Sequence, residues 1–118
     1  MSTSFPFFGD ARGTLVPIEL DDVPFEVRRI FTVAGVAGGS VRGNHRSGCR
    51  ELIVLVAGRV RLEIGTDPDV LTPATLVTPG QTVDVPAGSF VRYALRDEQS
   101  VILVLADAAY EPDREGRT

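Results

Sequence analysis

His45 is the only histidine in the chain, and it is the side chain best suited to acid–base chemistry. An imidazole has an unperturbed pKa of about 6.5, so it takes up and releases a proton near neutral pH. Ser47, Cys49 and Glu51 follow at alternate positions, and in a regular strand all four side chains face the same side. The spacing therefore predicts one shared cavity, in which Glu51 either holds the imidazole tautomer or acts as a base.

Two further side chains can join this set. Arg42 lies at an odd separation from His45, which places it on the opposite face unless a bulge intervenes, and Gly43 can supply one. Tyr93 lies on a later predicted strand and can add a phenol from the opposing side. We therefore predict His45, Glu51 and Arg42 as the catalytic residues.

The same residues also have simpler structural interpretations. The histidine can be a structural residue satisfied by Glu51, and Glu51 can be the partner of a neighbouring arginine. Cys49 is more typical of a small buried hydrophobe than of a nucleophile, and Ser47 lacks the third group that a catalytic triad needs. Tyr93 and Tyr110 are core or rim aromatic residues by default.

Short apolar segments between glycines and prolines must position these side chains. Turn residues interrupt the chain at a spacing of about eight to twelve residues, which is typical of a β-sandwich or barrel. Residues 52–57 are apolar throughout and should be buried on both faces, and residues 57–59 are predicted to form a tight hairpin turn. The predicted strands are 14–19, 26–33, 39–42, 50–57, 59–64, 69–76, 81–85, 90–95 and 101–106.

The composition is that of one small globular domain. The chain has 118 residues, of which 43% are hydrophobic, and we expect a single domain over residues 1–118 with a frayed tail at 111–118. The net charge of −4 argues against nucleic acid or an anionic membrane as a partner. A single cysteine allows no intrachain disulfide, and neither a signal peptide nor a run of about 20 apolar residues is recognisable. We therefore expect a soluble cytoplasmic protein.

The turn residues recur at the spacing of two known motifs. Positions that match these motifs are Gly39, His45, Glu51, Gly58, Gly80, Pro86 and Gly88. Ser47 and Val91 stand where the motifs have histidines, and Leu95 stands where they have asparagine. The pattern resembles the cupin superfamily, which implies an all-β fold, a small double-stranded β-helix or jelly-roll barrel.

The same substitutions bear on metal binding. Many cupins hold a divalent metal with three histidines and a glutamate, and such sites need three or four nitrogen or oxygen ligands. This chain keeps only His45 and Glu51 of those four positions, since Val91 has no donor atom and Ser47 is a poor ligand. The resemblance therefore implies no metal and no other cofactor, and a metal-dependent enzyme ranks last among the possible functions.

A second pattern joins residues 10–13 (Asp-Ala-Arg-Gly) to residues 42–45 (Arg-Gly-Asn-His). Further matching segments are residues 14–15, 18–19, 23–25, 28–31 and 106–110. This pattern resembles the dTDP-4-keto-6-deoxyhexose 3,4-ketoisomerases, which are WxcM-like sugar ketoisomerases. The chain departs from that family at Ser47, where the family has its second histidine, at Gly48, where it has lysine, and at Phe31, where tyrosine is common.

The resemblance implies a metal-independent isomerase of deoxysugar biosynthesis that acts on a nucleotide-linked 4-keto-6-deoxyhexose. The reaction moves a carbonyl along the sugar ring through an enediol, with His45 as acid and base. Residues expected to contact this small-molecule substrate are Arg29, Arg42, Ser47, Tyr93 and Tyr110. Guanidinium groups fit a pyrophosphate, although both arginines have a competing interpretation as solvated charges on the outer sheet, which is favoured for Arg29.

The departures from the family also leave open a function without catalysis. The missing second histidine favours an alternative, a non-catalytic cupin that binds a sugar nucleotide or another small ligand.

Small cupins commonly form homodimers in which an N-terminal strand packs on the partner. The arm formed by residues 1–8 carries Phe5, Phe7 and Phe8 for such a contact, so we predict a homodimer.

Overall fold

Ten β-strands and one turn of 3-10 helix, Leu20–Asp22, make up the described part of the chain. The structure, a computed structural model, describes residues 4–34 and 41–109. The predicted tail at 111–118 and Tyr110 lie outside the described residues. The strands are β1 (Phe8–Asp10), β2 (Gly13–Leu15), β3 (Arg29–Val33), β4 (Val41–Arg46), β5 (Glu51–Ala57), β6 (Val60–Asp67), β7 (Val70–Leu76), β8 (Thr82–Val85), β9 (Phe90–Leu95) and β10 (Val101–Ala106).

Two four-stranded antiparallel sheets form the body of the fold. The first sheet has the order β3-β10-β5-β8, the second has the order β4-β9-β6-β7, and β1 pairs with β2 as a separate hairpin. From β3 to β10 the chain crosses between the two sheets at every connection except that from β6 to β7. This alternation is the topology of a jelly roll and confirms the predicted all-β cupin fold.

Several observed strands differ from the predicted ones. β3 begins at Arg29 rather than at position 26, and β6 runs to Asp67 rather than to position 64. β4 runs to Arg46 instead of ending at Arg42, because a bulge lets it continue to pair with β9. β2 ends at Leu15 rather than at position 19, and β1 was not predicted because Gly9 and Asp10 have low strand propensity. The turn at Gly58 exists, but it joins β5 and β6 in different sheets, so the prediction of a hairpin was wrong.

The main apolar core lies between the two sheets. Its fully buried members include Ile53 and Leu55 from β5, Leu62 from β6, Leu95 from β9 and Ile102 from β10. Each of these strands turns alternate side chains inward, as strand geometry requires. Inward-facing positions near one end of this layer carry polar side chains, and these form the candidate site.

A second core covers the outer face of the first sheet. Leu52 and Val54 of β5 and Leu105 of β10 pack there against Phe5 and Val23 from the N-terminal segment. β5 is therefore buried on both faces, which confirms the prediction for residues 52–55, whereas Val56 and Ala57 are half-buried. Burial on both faces keeps water away from the polar groups at the inner end of β5.

The N-terminal arm is only partly available to a partner chain. Phe5 is buried against its own sheet, and its N–H donates a hydrogen bond of 2.9 Å to the carbonyl of Gly80. Phe7 and Phe8 are exposed, as is Leu15 on the paired strand. The homodimer stays a prediction, with the exposed aromatic residues of the hairpin as its basis. Among the described residues, no helix has the length and apolar character needed to cross a bilayer.

Arg50 fastens the N-terminal segment to the first sheet. Its guanidinium donates two hydrogen bonds to the carboxylate of Asp84, of 2.9 and 3.3 Å, and one of 3.3 Å to the carbonyl of Pro24. Its backbone N–H donates to Asp107 at 3.0 Å. The outward side chain of Arg50 thus anchors the start of β5, and its neighbour Glu51 points inward.

Gly58→Ala is expected to destabilise the fold far more than Gly88→Ala. Both glycines have positive φ, 71° and 85°, where an L side chain costs about 1–2 kcal/mol. A Cβ at Gly58 would also overlap the backbone Cα of Ser100 at 2.6 Å, whereas a Cβ at Gly88 meets nothing within 4 Å. Urea denaturation should give a loss near 1 kcal/mol for Gly88→Ala and on the order of 3 kcal/mol for Gly58→Ala. Equal losses would contradict the proposed overlap.

Candidate active site

A cross-strand row in the first sheet carries the buried ion pair of the site. Arg29 of β3 and Glu51 of β5 are both in register with Ala106 of β10, the strand between them. Nη2 of Arg29 lies 3.9 Å from Oε2 of Glu51, and the two side chains are 15% and 5% exposed. The small side chain of Ala106 leaves room for the guanidinium to reach across the strand. The guanidinium also lies over the ring of Phe31, 4.9 Å from its centroid.

This placement decides between two interpretations of Arg29. The alternative of a solvated charge on the outer face of the sheet is wrong, because the side chain points inward and is largely buried. Glu51 is the partner of an arginine, as one interpretation of the sequence held, but that arginine comes from a distant strand. Sequence reasoning missed the spacing role of Ala106. The parity of β10, in which Ile102 and Val104 face inward, is the signal that could have revealed it.

A bulge in β4 brings Arg42 and His45 to the same face. Arg42 pairs with Tyr93 and His45 pairs with Val91, and the register shifts between the two pairs. Gly43 has a φ of 80°, a conformation that glycine adopts freely. Because Tyr93 and Val91 both face the interior, their partners do so as well. The conditional prediction of a bulge at Gly43 is confirmed.

The hydrogen bond of His45 defines which ring nitrogen is available. Nδ1 lies 2.8 Å from the carbonyl oxygen of Gly43. A carbonyl only accepts hydrogen bonds, so Nδ1 carries the proton of the neutral ring and Nε2 carries the lone pair. Nε2 is buried and has no hydrogen-bond partner within residues 4–34 and 41–109. The ring therefore presents a basic nitrogen to the interior, and its hydrogen bond goes to Gly43 rather than to Glu51.

Tyr93 supplies a neutral phenol beside these groups. It is 4% exposed, and its burial raises its pKa to about 12, with the negative charge of Glu51 adding to the rise and the positive charge of Arg42 opposing it. A Cβ at Gly43 would lie 2.9 Å from Cε1 of this ring. The phenol is thus a hydrogen-bond donor at neutral pH, and its ring needs a glycine opposite.

Ser47 and Cys49 lie in the connection between the sheets, not on a strand. β4 ends at Arg46 and β5 begins at Glu51, so the predicted single strand face from His45 to Glu51 was wrong. The backbone of Ser47 pairs with the turn that precedes β9, donating to Ser89 at 2.8 Å. Its hydroxyl donates to the carbonyl of Cys49 at 2.5 Å, and both side chains are buried. His45 and Glu51 consequently reach the interior from different sheets.

The described part of the chain holds no cluster of three or more His, Cys, Asp or Glu side chains that could bind a metal ion. The polar groups that it does bring together are Arg29, Arg42, His45, Glu51 and Tyr93. They comprise one lone-pair nitrogen, one carboxylate, one phenol and two guanidinium groups. This set can move protons and stabilise negative charge on an oxygen.

The profile of the FdtA family, described as WxcM-like, C-terminal, matches residues 2–115. The chain belongs to this family. The match covers nearly all of this chain and confirms the resemblance of its sequence to the WxcM-like sugar ketoisomerases. No curated protein matches it.

Solved structures with the same fold include several sugar-nucleotide enzymes. The 3,4-ketoisomerase QdtA from Thermoanaerobacterium thermosaccharolyticum, a double mutant in complex with TDP, is 25% identical, with a TM-score of 0.81 over 97% of this chain and 83% of QdtA. A 3,4-ketoisomerase from Helicobacter canadensis is 20% identical, with a TM-score of 0.82 over 97% and 86% of the two chains. The rmlC epimerase from Mycobacterium tuberculosis is 18% identical, with a TM-score of 0.74 over 98% and 66%.

The neutral imidazole of His45 is expected to be the Nδ1–H tautomer. Because it is the only histidine, its two ring nitrogens can be assigned directly in ¹H–¹⁵N correlation spectra of labelled protein at a pH where the ring is neutral. Gly43→Ala should disturb this tautomer. Its new methyl group would lie 2.9 Å from the ring of Tyr93, so the bulge that holds the Gly43 carbonyl against Nδ1 has to shift. Gly88→Ala is the matched control, because its φ is similar and an added Cβ would meet no atom within 4 Å. A dominant Nε2–H tautomer in the unaltered protein would contradict the geometry.

Tyr93 is expected to titrate well above an ordinary tyrosine. In Tyr110→Phe it is the only phenol, and the absorbance of its phenolate should rise with a midpoint near 12. The unfolded chain loses this proton near pH 10, so the stability linked to Tyr93 is intact below pH 10 and falls as the pH rises through about 12. Tyr93→Phe should not show this part of the decrease in the free energy of unfolding at alkaline pH. A midpoint near 10 would show that the phenol is solvated.

Proposed function

We propose that this WxcM-like protein is a metal-independent isomerase that moves the ketone of a nucleotide-linked 4-keto-6-deoxyhexose between C4 and C3. The observation that carries this proposal is Nε2 of His45, a buried lone-pair nitrogen with no hydrogen-bond partner in the described part of the chain. The fold neighbour QdtA is a 3,4-ketoisomerase whose structure contains TDP. A TDP-linked sugar of deoxysugar biosynthesis is therefore the substrate class that we propose.

His45 is the base of the proposed reaction. Its Nε2 removes the proton from C3 of the 4-keto sugar, the electrons form an enediolate, and the imidazolium then returns the proton to C4. The hydrogen bond from Nδ1 to Gly43 is compatible with both protonation states of the ring, because Nδ1 is a donor in each. A positioned acid–base group of this kind contributes roughly 10²–10⁴-fold to the rate.

The developing negative charge on the sugar oxygen needs a donor. Tyr93 is neutral at the pH of the reaction and can donate its hydroxyl proton in a hydrogen bond to that oxygen. Arg42, opposite Tyr93 in the sheet, adds a positive charge beside the phenol. Both arginines stay candidates for the pyrophosphate, and the carboxylate of Glu51, 3.9 Å from Arg29, competes with a phosphate for that guanidinium.

A second function, ligand binding without turnover, is favoured by one observation. Ser47 replaces the family's second histidine, and its hydroxyl is already bonded to the backbone of Cys49 and 1% exposed. A binding protein of this kind would be stabilised by TDP and would leave a TDP-4-keto sugar unchanged. Proton NMR of the sugar during incubation distinguishes it from an isomerase.

His45→Asn is expected to lower the turnover of TDP-4-keto-6-deoxyglucose by at least about 100-fold. The asparagine amide nitrogen can occupy the position of Nδ1 and keep the bond to Gly43, while the group at Nε2 is lost. The free energy of unfolding should therefore change by no more than about 1 kcal/mol. Turnover is measured by NMR of the sugar, and stability by urea denaturation.

Arg61→Gln, an exposed substitution on the outer face of β6, is the control for that variant. It should keep full turnover. TDP should raise the melting temperature of the wild-type protein and of both variants by a similar amount, since none of the changes removes the proposed nucleotide contacts. Full turnover by His45→Asn would rule out the proposed base.

A further inference from the structure

The proposed isomerisation requires proton transfers on oxygen as well as on carbon. When the ketone moves from C4 to C3, one proton leaves C3 and one joins C4, and a second proton leaves the hydroxyl on C3 and one joins the oxygen on C4. A single base can carry the carbon-bound proton across one face of the enediolate. The oxygen-bound proton needs another group, and the following inference rests on the proposed function.

The interior offers few groups for that second task. Ser47 occupies the position of the family's second histidine, but its hydroxyl is bonded to the carbonyl of Cys49 in the connection between the sheets. Tyr93 holds its own proton too tightly to pass it on and take another near neutral pH. Arg29 and Arg42 are guanidinium groups and do not act as bases. The carboxylate of Glu51 is the one other inward-facing group among the described residues of the site that can accept and release a proton.

We propose that Glu51 carries the oxygen-bound proton between the two sugar oxygens while His45 carries the carbon-bound proton. One carboxylate oxygen accepts the proton from the hydroxyl on C3, so that this O–H bond breaks and C3 becomes the ketone. The carboxylic acid then gives a proton to the oxygen on C4, and an O–H bond forms there. The carboxylate is regenerated, no electron is gained or lost overall, and no co-reactant is needed.

The positions of His45 and Glu51 in different sheets are compatible with their carrying different protons. Glu51 enters the interior from β5 of the first sheet, and His45 enters from β4 of the second. A sugar ring held between the sheets therefore presents different atoms to each. Glu51 is 3% exposed, and it lies close enough to Tyr93 for its negative charge to help burial raise the pKa of that phenol. The carboxylate and the proposed oxygen-stabilising phenol thus share one region, as a transfer between adjacent oxygens requires.

Arg29 is the positioning residue of this arrangement. It lies in the same cross-strand row as Glu51, and its guanidinium is 3.9 Å from the carboxylate. If either group moved away, the other would be left as a buried charge without an opposite charge beside it, which is energetically costly. The attraction between the two therefore holds the carboxylate in place. Phe31 lies beneath the guanidinium and restricts where it can move.

The test compares isomerisation with hydrogen exchange in Glu51→Gln. Wild-type protein in D₂O should convert TDP-4-keto-6-deoxyglucose to the 3-keto sugar and exchange the hydrogen on C3. Glu51→Gln keeps the shape of the side chain but not its proton capacity. It should form the enediolate and exchange C3 at a rate within a few-fold of wild type, while isomerisation falls at least about 100-fold. A sample without protein corrects for spontaneous exchange.

The control variant is Glu63→Gln, which removes a carboxylate paired with Arg92 on the outer face of β6. It should exchange and isomerise like wild type. Isomerisation by Glu51→Gln within about twofold of wild type would overturn the assignment, as would loss of both reactions in a variant that still melts and binds TDP like wild type. Wild-type protein that binds TDP but neither exchanges nor isomerises the sugar would overturn the proposed function itself.

Arg29→Lys separates positioning from substrate binding. Lysine keeps the charge but loses the planar guanidinium that reaches Glu51 over Ala106. A positioning role predicts a lower kcat for isomerisation, an unchanged KM and unchanged exchange at C3. A raised KM with an unchanged kcat would instead assign Arg29 to the substrate and overturn its role beside Glu51.

Discussion

The hydrogen bond between Nδ1 of His45 and the carbonyl of Gly43 is the interaction on which the rest of the site depends. It forms within a bulge whose glycine has a φ of 80°, a region that costs other residues about 1–2 kcal/mol. The bulge turns Arg42 to the same face as His45, and the carbonyl determines the tautomer of the imidazole. The missing Cβ of Gly43 also admits the ring of Tyr93. One backbone conformation therefore places three side chains.

The other half of the site depends on burial of the first sheet. Its inner face holds Arg29 and Glu51, and its outer face is covered by the N-terminal segment through Phe5 and Val23. Charges in such a layer interact more strongly than they do in water, and they are also more costly to leave unpaired. The cover over the outer face is thus part of what makes the inner ion pair effective. Arg50 ties that cover to the strand that carries Glu51.

Local patterns predicted the elements well where the chain is regular. Residues 52–55 of β5 are buried on both faces, as their continuous apolar character predicted, and the predicted strand at 59–64 forms β6, which buries Val60 and Leu62 and exposes Arg61. The prediction failed where parity was carried from His45 through Ser47 to Glu51. The chain changes sheets there, and alternation has no meaning across a connection whose backbone bonds to a turn instead of a neighbouring strand. His45 and Glu51 both face the interior, but they reach it from different sheets rather than along one strand.

The sequence by itself determined the class of fold, the family and the loss of most metal-ligand positions. These follow from turn glycines and prolines, strand alternation and the identity of single residues, all of which are local properties. Only the tertiary structure decided that Arg29 reaches Glu51 across Ala106 and that Nε2, not Nδ1, of His45 is buried with no hydrogen-bond partner among the described residues. Both depend on the register between strands far apart in the chain. That register is set by packing of the whole barrel, so no local pattern contains it.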